Sequence, residues 1–258
     1  MIVLKKVSKV FGRTKVLENI SFQIDPKEFV CITGPSGAGK STIISLLIGA
    51  EDVTTGAIEI DGVDLRIIPP PVLQMMRRRI GIVFQDYKLL PDLTVAENLA
   101  FPLEVCMAPD KTIRKRVPEI LKRMDLVQRA GALPRELSGG EKARTAIARA
   151  IVHHPKILLA DEPTGNLDPA QSLEILALLK HIHHEGTTVV LATHDAALVD
   201  ALQTRVIHLD AGRVTRDAVG GYDHARRGAH NASHHAKHDI FRDAEEEFLM
   251  AEKHRGRR

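Results

Sequence analysis

The sequence predicts an α/β fold built on a mostly parallel sheet. Three observations point there. A glycine-rich loop, Gly34-Pro35-Ser36-Gly37-Ala38-Gly39-Lys40-Ser41-Thr42, lies between a short apolar run, Phe29 to Thr33, and a helical stretch, Thr42 to Gly49. A second apolar run, Ile157 to Ala160, ends in two carboxylates, Asp161 and Glu162. From Ile157 to Ala192 the pattern is strand, helix, strand, with the helix over about 169–185. Such a crossover places its two strands side by side and parallel.

The remaining elements follow in chain order. Residues 1–34 read as strands, at Ile2 to Leu4, Leu17 to Ile24 and Phe29 to Thr33. Ala57 to Gly62 alternates apolar and polar residues and closes on Asp61-Gly62, as a hairpin does. Ile80 to Phe84 is another buried strand. From Thr94 to about His153 the pattern is helical, with Pro91, Pro102, Pro109, Pro118 and Pro134 as breaks. This stretch reads as a subdomain inserted into the sheet. A last strand pattern covers Arg205 to Leu209. Composition shifts near Ala218: residues 218–258 carry six of the thirteen histidines among Ala, Gly, Arg and Asp. They read as a low-complexity tail that supplies little core. Within it, 239–253 places Ile240, Phe241, Ala244, Phe248, Leu249 and Ala251 on one side of a potential short helix.

Bulk properties exclude several classes. The chain has 258 residues, 44% hydrophobic and 27% charged, which suits one large α/β domain. A net charge of +3 is too small to argue for nucleic acid. The longest apolar runs, such as Ile43 to Ala50, fall far short of the roughly 20 residues of a membrane span. No N-terminal export signal is apparent. Cys31 and Cys106 have no metal or redox spacing and read as reduced thiols of a cytosolic protein.

The chemistry lies in the loops. Backbone N–H groups of a glycine-rich turn can surround the phosphates of a nucleotide, and the following helix adds a favourable dipole. Gly34 to Thr42 has that form: Lys40 would reach the β- and γ-phosphates, and the Ser41 hydroxyl would ligate Mg²⁺. Asp161, at a strand end, fits a carboxylate that positions the same cation. Glu162 is then placed to orient or deprotonate an attacking water. Leu137-Ser138-Gly139-Gly140-Glu141 opens another helix and makes a second anion-binding N-terminus. One nucleotide cannot easily use two such ends of one chain; a head-to-tail dimer can, each chain closing Ser138 and Gly140 on its partner's γ-phosphate.

These elements, in this order, resemble the nucleotide-binding subunit of ABC ATPases over about residues 1–215. The resemblance implies a RecA-like mixed sheet core with an N-terminal antiparallel β subdomain and an inserted helical subdomain at about 86–155, all within 1–217. It implies ATP and Mg²⁺ as ligands and a homodimer as the working form. Gln85 falls where the family has a glutamine that senses Mg²⁺ and contacts the membrane partner. Leu137 to Glu141 matches the signature, with Glu141 where Gln is commoner; Lys142 and Ala143 depart from the usual Gln-Gln. Gly165 to Asp168 matches the D-loop, His194 the switch histidine on the γ-phosphate, and Phe11 the aromatic residue that stacks on adenine, a core position for Phe11 being the lesser alternative.

Asp161 to Asp168 is similar to a subgroup holding lipoprotein-release, peptide-efflux and cell-division ATPases. Phe84 to Val95, Glu97-Asn98 and Phe101 to Val105 look most like the cell-division branch. That likeness implies an integral membrane partner, peripheral attachment on the cytoplasmic face of the membrane, and ATP cycles that activate cell-wall hydrolases. Export of a lipoprotein, peptide or drug is the alternative task. Soluble translation or repair ATPases of the family carry two cassettes or long coiled coils, which this sequence lacks. His230, His234, His235 and His238 are close in sequence, but no Cys or acidic pattern supports a metal site there, and they read as a solvated segment.

Overall fold

A computed structural model describes residues 2–222. The expected helix at 239–253 and the histidine group at 230–238 lie outside the described residues.

Two sheets form. The first is antiparallel, in the order β2 (Thr14–Ile24), β1 (Ile2–Phe11), β4 (Thr55–Ile60), β5 (Val63–Asp64). The second runs β10 (Arg213–Val219), β9 (Arg205–Asp210), β3 (Phe29–Thr33), β8 (Thr188–Thr193), β7 (Ile157–Asp161), β6 (Ile80–Val83). Its neighbours are parallel from β9 to β6; β10 is antiparallel at the edge.

The central strands are buried on both faces, which explains their unbroken apolar sequences. Alternate residues divide between two cores. Val30, Ile32, Leu159, Val190 and Ile207 join the antiparallel sheet and α1 (Lys40–Leu47). Cys31, Leu158, Ala160, Val189, Leu191 and Val206 face the helical layer. That layer comprises α3 (Val95–Val105), α4 (Asp110–Arg123), α5 (Gly139–Ile151), α6 (Pro169–His184) and α7 (Ala196–Leu202). Among the α-helices of the described residues, only α2 (Pro70–Arg77) fully buries no residue.

Several boundaries differ from the sequence expectation. α1 begins at Lys40, because the left-handed Gly39 already serves as its N-cap. Pro102 and Pro118 sit inside α3 and α4 instead of ending helices, while Pro109 caps α4 and Pro134 opens a 3₁₀ turn. β10 crosses the composition break at 218. Beyond it the Tyr222 N–H donates to Asp200 Oδ1 at 2.6 Å, and its ring meets His208 edge-on at 5.4 Å.

The segment after β6 is pinned by two polar side chains, buried Asn98 and half-buried Arg149. Asn98 Oδ1 accepts from Leu90 N–H at 2.9 Å, and its Nδ2 donates to the carbonyls of Leu90, Leu93 and Thr94. Arg149 donates to the carbonyls of Lys88 at 2.7 Å and Tyr87 at 2.8 Å, where the backbone is left-handed at both residues. The Tyr87, Lys88 and Leu93 carbonyls of this turn thereby gain a side-chain partner.

Candidate active site

Four adjacent parallel strands, β3, β8, β7 and β6, end almost level: Thr33 pairs with Thr193, Ala192 with Asp161, and Ala160 with Val83. Each continues at that edge into a stretch singled out in the sequence. The loop from Gly34 follows β3, His194 follows β8, Glu162 follows β7 and Gln85 follows β6. The carboxyl edge of an open parallel sheet is where such folds bind ligands.

The Gly34–Lys40 loop needs its glycines. Gly34, Gly37 and Gly39 all have φ between 79° and 144°. A Cβ at Gly34 would collide with the Leu209 carbonyl, and one at Gly39 with the Leu17 side chain. No side chain caps α1, so its first N–H groups face the loop. Lys40 is only 6% exposed. Its Nζ donates to the carbonyls of Gly34 at 2.8 Å and Pro35 at 3.1 Å, and lies 3.5 Å from Glu162 Oε1.

Asp161 and Glu162 are each 7% exposed. Burial pushes the Asp161 carboxyl above the ordinary carboxylate range; the Ser41 hydroxyl beside it pulls the other way, Glu162 adds to the rise and Lys40 opposes it. Asp161 Oδ1 is buried and has no hydrogen-bond partner. Glu162 takes a left-handed backbone, φ 47°, which is costly for a residue other than glycine. Its N–H donates to the Ala192 carbonyl at 2.9 Å. Its Oε1 lies 2.8 Å from His194 Nδ1, and the imidazole is 61% exposed.

The signature segment lies elsewhere. Ser138 is the N-cap of α5: its Oγ accepts from Glu141 N–H, and Glu141 Oε2 accepts from Ser138 N–H at 2.8 Å. That backbone N–H, followed by the Arg129 guanidinium at 2.7 Å, holds the Glu141 carboxyl below its usual range. The atoms nearest Gly139 and Gly140 belong to Leu167, Asn166, Gln171 and Arg144, not to the Gly34–Ser41 loop. Asp168 caps α6, accepting from Gln171 N–H at 2.8 Å. Ala143 is fully buried, which restricts that position to a small side chain.

Phe11 is not in the core. It ends β1 with 43% exposure, and Lys9 Nζ lies 4.6 Å from its ring centroid. Gln85 is exposed in the turn after β6. Sequence reasoning missed three supporting residues: Asn98 and Arg149, and Tyr87, which is buried with its hydroxyl donating to the Pro163 carbonyl at 3.4 Å. Nothing in their spacing sets them apart from ordinary helix and loop residues.

This arrangement can cradle a polyphosphate, hold an oxygen-ligated cation and offer a carboxylate base oriented by a histidine. Together with the fold it defines an ATP-hydrolysing cassette, and the chain belongs to the ABC transporter ATPase family, whose profile matches residues 17–165. It is an ATPase of that type. Among curated relatives, the cell division ATP-binding protein FtsE of Bacillus subtilis is 47% identical over 228 residues, which is 86% of this chain and 100% of that protein. FtsE of Mycobacterium tuberculosis is 45% identical, over 86% of this chain and 97% of that one. Among solved structures, the ATP-binding cassette MJ0796, a dimer in a post-hydrolysis state bound to ADP and Pi, aligns with TM-score 0.76 and 37% identity; the alignment covers 85% of this chain and 98% of that one. Among the described residues no helix is long and apolar enough to cross a membrane.

Proposed function

We propose that this chain is the ATP-hydrolysing subunit of an FtsEX-like complex. In that complex ATP cycles drive an FtsX-like integral membrane protein, which activates cell-wall hydrolases. Identity of 42–47% to FtsE proteins over most of the chain supports the division reading against lipoprotein release or efflux. The chain would sit peripherally on the cytoplasmic face. In this reading residues 1–217 form one ATPase unit, and the helical insert at about 86–155, with Gln85 at its root, faces the membrane partner.

One observation carries the chemistry: the Glu162 carboxylate at 2.8 Å from His194 and 3.5 Å from Lys40, one residue past Asp161. Gly34, Pro35, Ser36, Gly37, Ala38, Gly39, Lys40, Ser41 and Thr42 would wrap the phosphates, and Phe11 would stack on adenine. Ser41, Asp161 and Gln85 would hold Mg²⁺. The buried, partnerless Oδ1 of Asp161 and the all-oxygen donor set fit a hard cation. Mg²⁺ bound there would neutralise phosphate charge. Glu162 accepts a proton from the attacking water, and His194 fixes the carboxylate and faces the γ-phosphate. Ser138, Gly139 and Gly140 complete the partner chain's site, with Asp168 at the contact between chains, so the working form is a head-to-tail dimer.

The test is to trap E162Q with ATP in its native membranes and identify the membrane protein that co-purifies. A four-span protein that also binds a cell-wall hydrolase supports the division reading. A protein with a large external domain coupled to a periplasmic carrier or efflux duct moves the chain to the export branch.

A further inference from the structure

At the opposite edge of the sheet from Glu162 lies an apolar groove of about 230 Å³. Ile80 and Ile157, the first residues of β6 and β7, line it together with Val63, Val72, Met75 and Met76. Met75 is 64% exposed and the adjoining Ile67 79%. On α2, Met76 packs partly against the core and Leu73 lies over Gly49, while Val72 and Met75 stay exposed at the groove. The surroundings are basic. Residues 60–80 with Lys156 hold five cations, Arg66, Arg77, Arg78, Arg79 and Lys156, against Asp61 and Asp64. Arg78, Arg79 and Lys156 are exposed.

We infer that this groove is the docking site of the chain's own 239–253 segment. That segment matches it in chemistry. It carries six carboxylates, at 239, 243, 245, 246, 247 and 252, against two cations, Arg242 and Lys253. At helical spacing Ile240, Ala244, Phe248 and Ala251 share a face, next to Phe241 and Leu249. The length suffices. From Tyr222 to residue 239 an extended chain spans at most roughly 55–60 Å. β10 ends beside Arg205, at the same edge of the sheet as the groove, and β6 lies five strands across, roughly 25 Å away, so the groove is within reach. A second copy of this chain offers the same segment, which the test separates. The site lies away from the ATP chemistry, and the inference does not rest on the division reading.

Disulfide trapping in the full-length chain tests it. In a C106S background, where Cys31 stays buried and its thiol is pushed up to about 12 by burial, M75C is paired with F248C. The control pair is M107C with F248C, Met107 being 84% exposed just past α3. Docking predicts an intramolecular M75C–F248C bond forming at least tenfold faster than the control, and slowed several-fold by R78E/R79E. Equal rates for the two pairs, no effect of the charge reversals, or a bond formed only between chains would overturn the inference.

Discussion

Two helix N-termini in this molecule carry glycine and hydroxyl residues, yet they are finished differently. At α1 the N-cap is a left-handed glycine with no side-chain cap, and the nearby carbonyls of Gly34 and Pro35 are held by Lys40. At α5 Ser138 and Glu141 satisfy each other's backbone N–H groups. The first end leaves its donors for a ligand and sets a buried cation beside them. The second is closed on itself and presents a hydroxyl and small residues outward. A complete anion site therefore needs the first end for binding, whereas the second can only add to a ligand held elsewhere.

The strongest way to probe this contrast is at the catalytic carboxylate. E162Q should slow hydrolysis roughly 10²–10⁴-fold while nucleotide still binds; phosphate release measured against a binding titration checks both, and unchanged turnover breaks the assignment. K40A should weaken nucleotide binding about 10- to 100-fold, the worth of a charge-assisted bond to phosphate. Calorimetric titration reads it, and undiminished affinity contradicts the α1 side of the comparison. S138A and E141A act at the other end. Each should cost about 1 kcal/mol of stability through the lost cap, seen in urea unfolding, and leave nucleotide affinity of the monomer unchanged. A loss of monomer affinity in S138A would erase the distinction between the two ends.

The smallest effect concerns pH. Burial holds the His153 imidazole below its ordinary range; the Ile80 backbone bond opposes this and His154 adds to it. An unfolded chain then takes up a proton near pH 6.5 that the folded chain refuses. Stability from this residue is present above about pH 6.5 and is lost as the pH falls toward the lower folded value. H153Q should flatten that part of the stability profile in unfolding curves taken between pH 5 and about 7.

The site was legible in the sequence because its residues sit in short motifs whose order is fixed by strand ends. Edge elements were not. β10 sets Val214, Ala218 and Val219 among Arg213, Thr215, Arg216 and Asp217 with no regular alternation, and its strand state comes from pairing with β9. α2 opens on Pro70 and Pro71, which read locally as a break, and it is only eight residues long, so the sequence does not single it out. Pro102 and Pro118 mark breaks in a local reading, but tertiary packing of Leu99, Leu103, Val117 and Ile120 carries both helices through them. The contact of Glu162 with Lys40 joins residues over 120 positions apart. No local pattern reports such a contact.

The pinning of Tyr87 to Thr94 by Asn98 and Arg149 has a mechanical consequence. A loop tied by six hydrogen bonds to side chains rooted in α3 and α5 does not behave as a cushion. A load applied to it would pass to both helices, and through α5 toward Ser138, before it was absorbed in the loop.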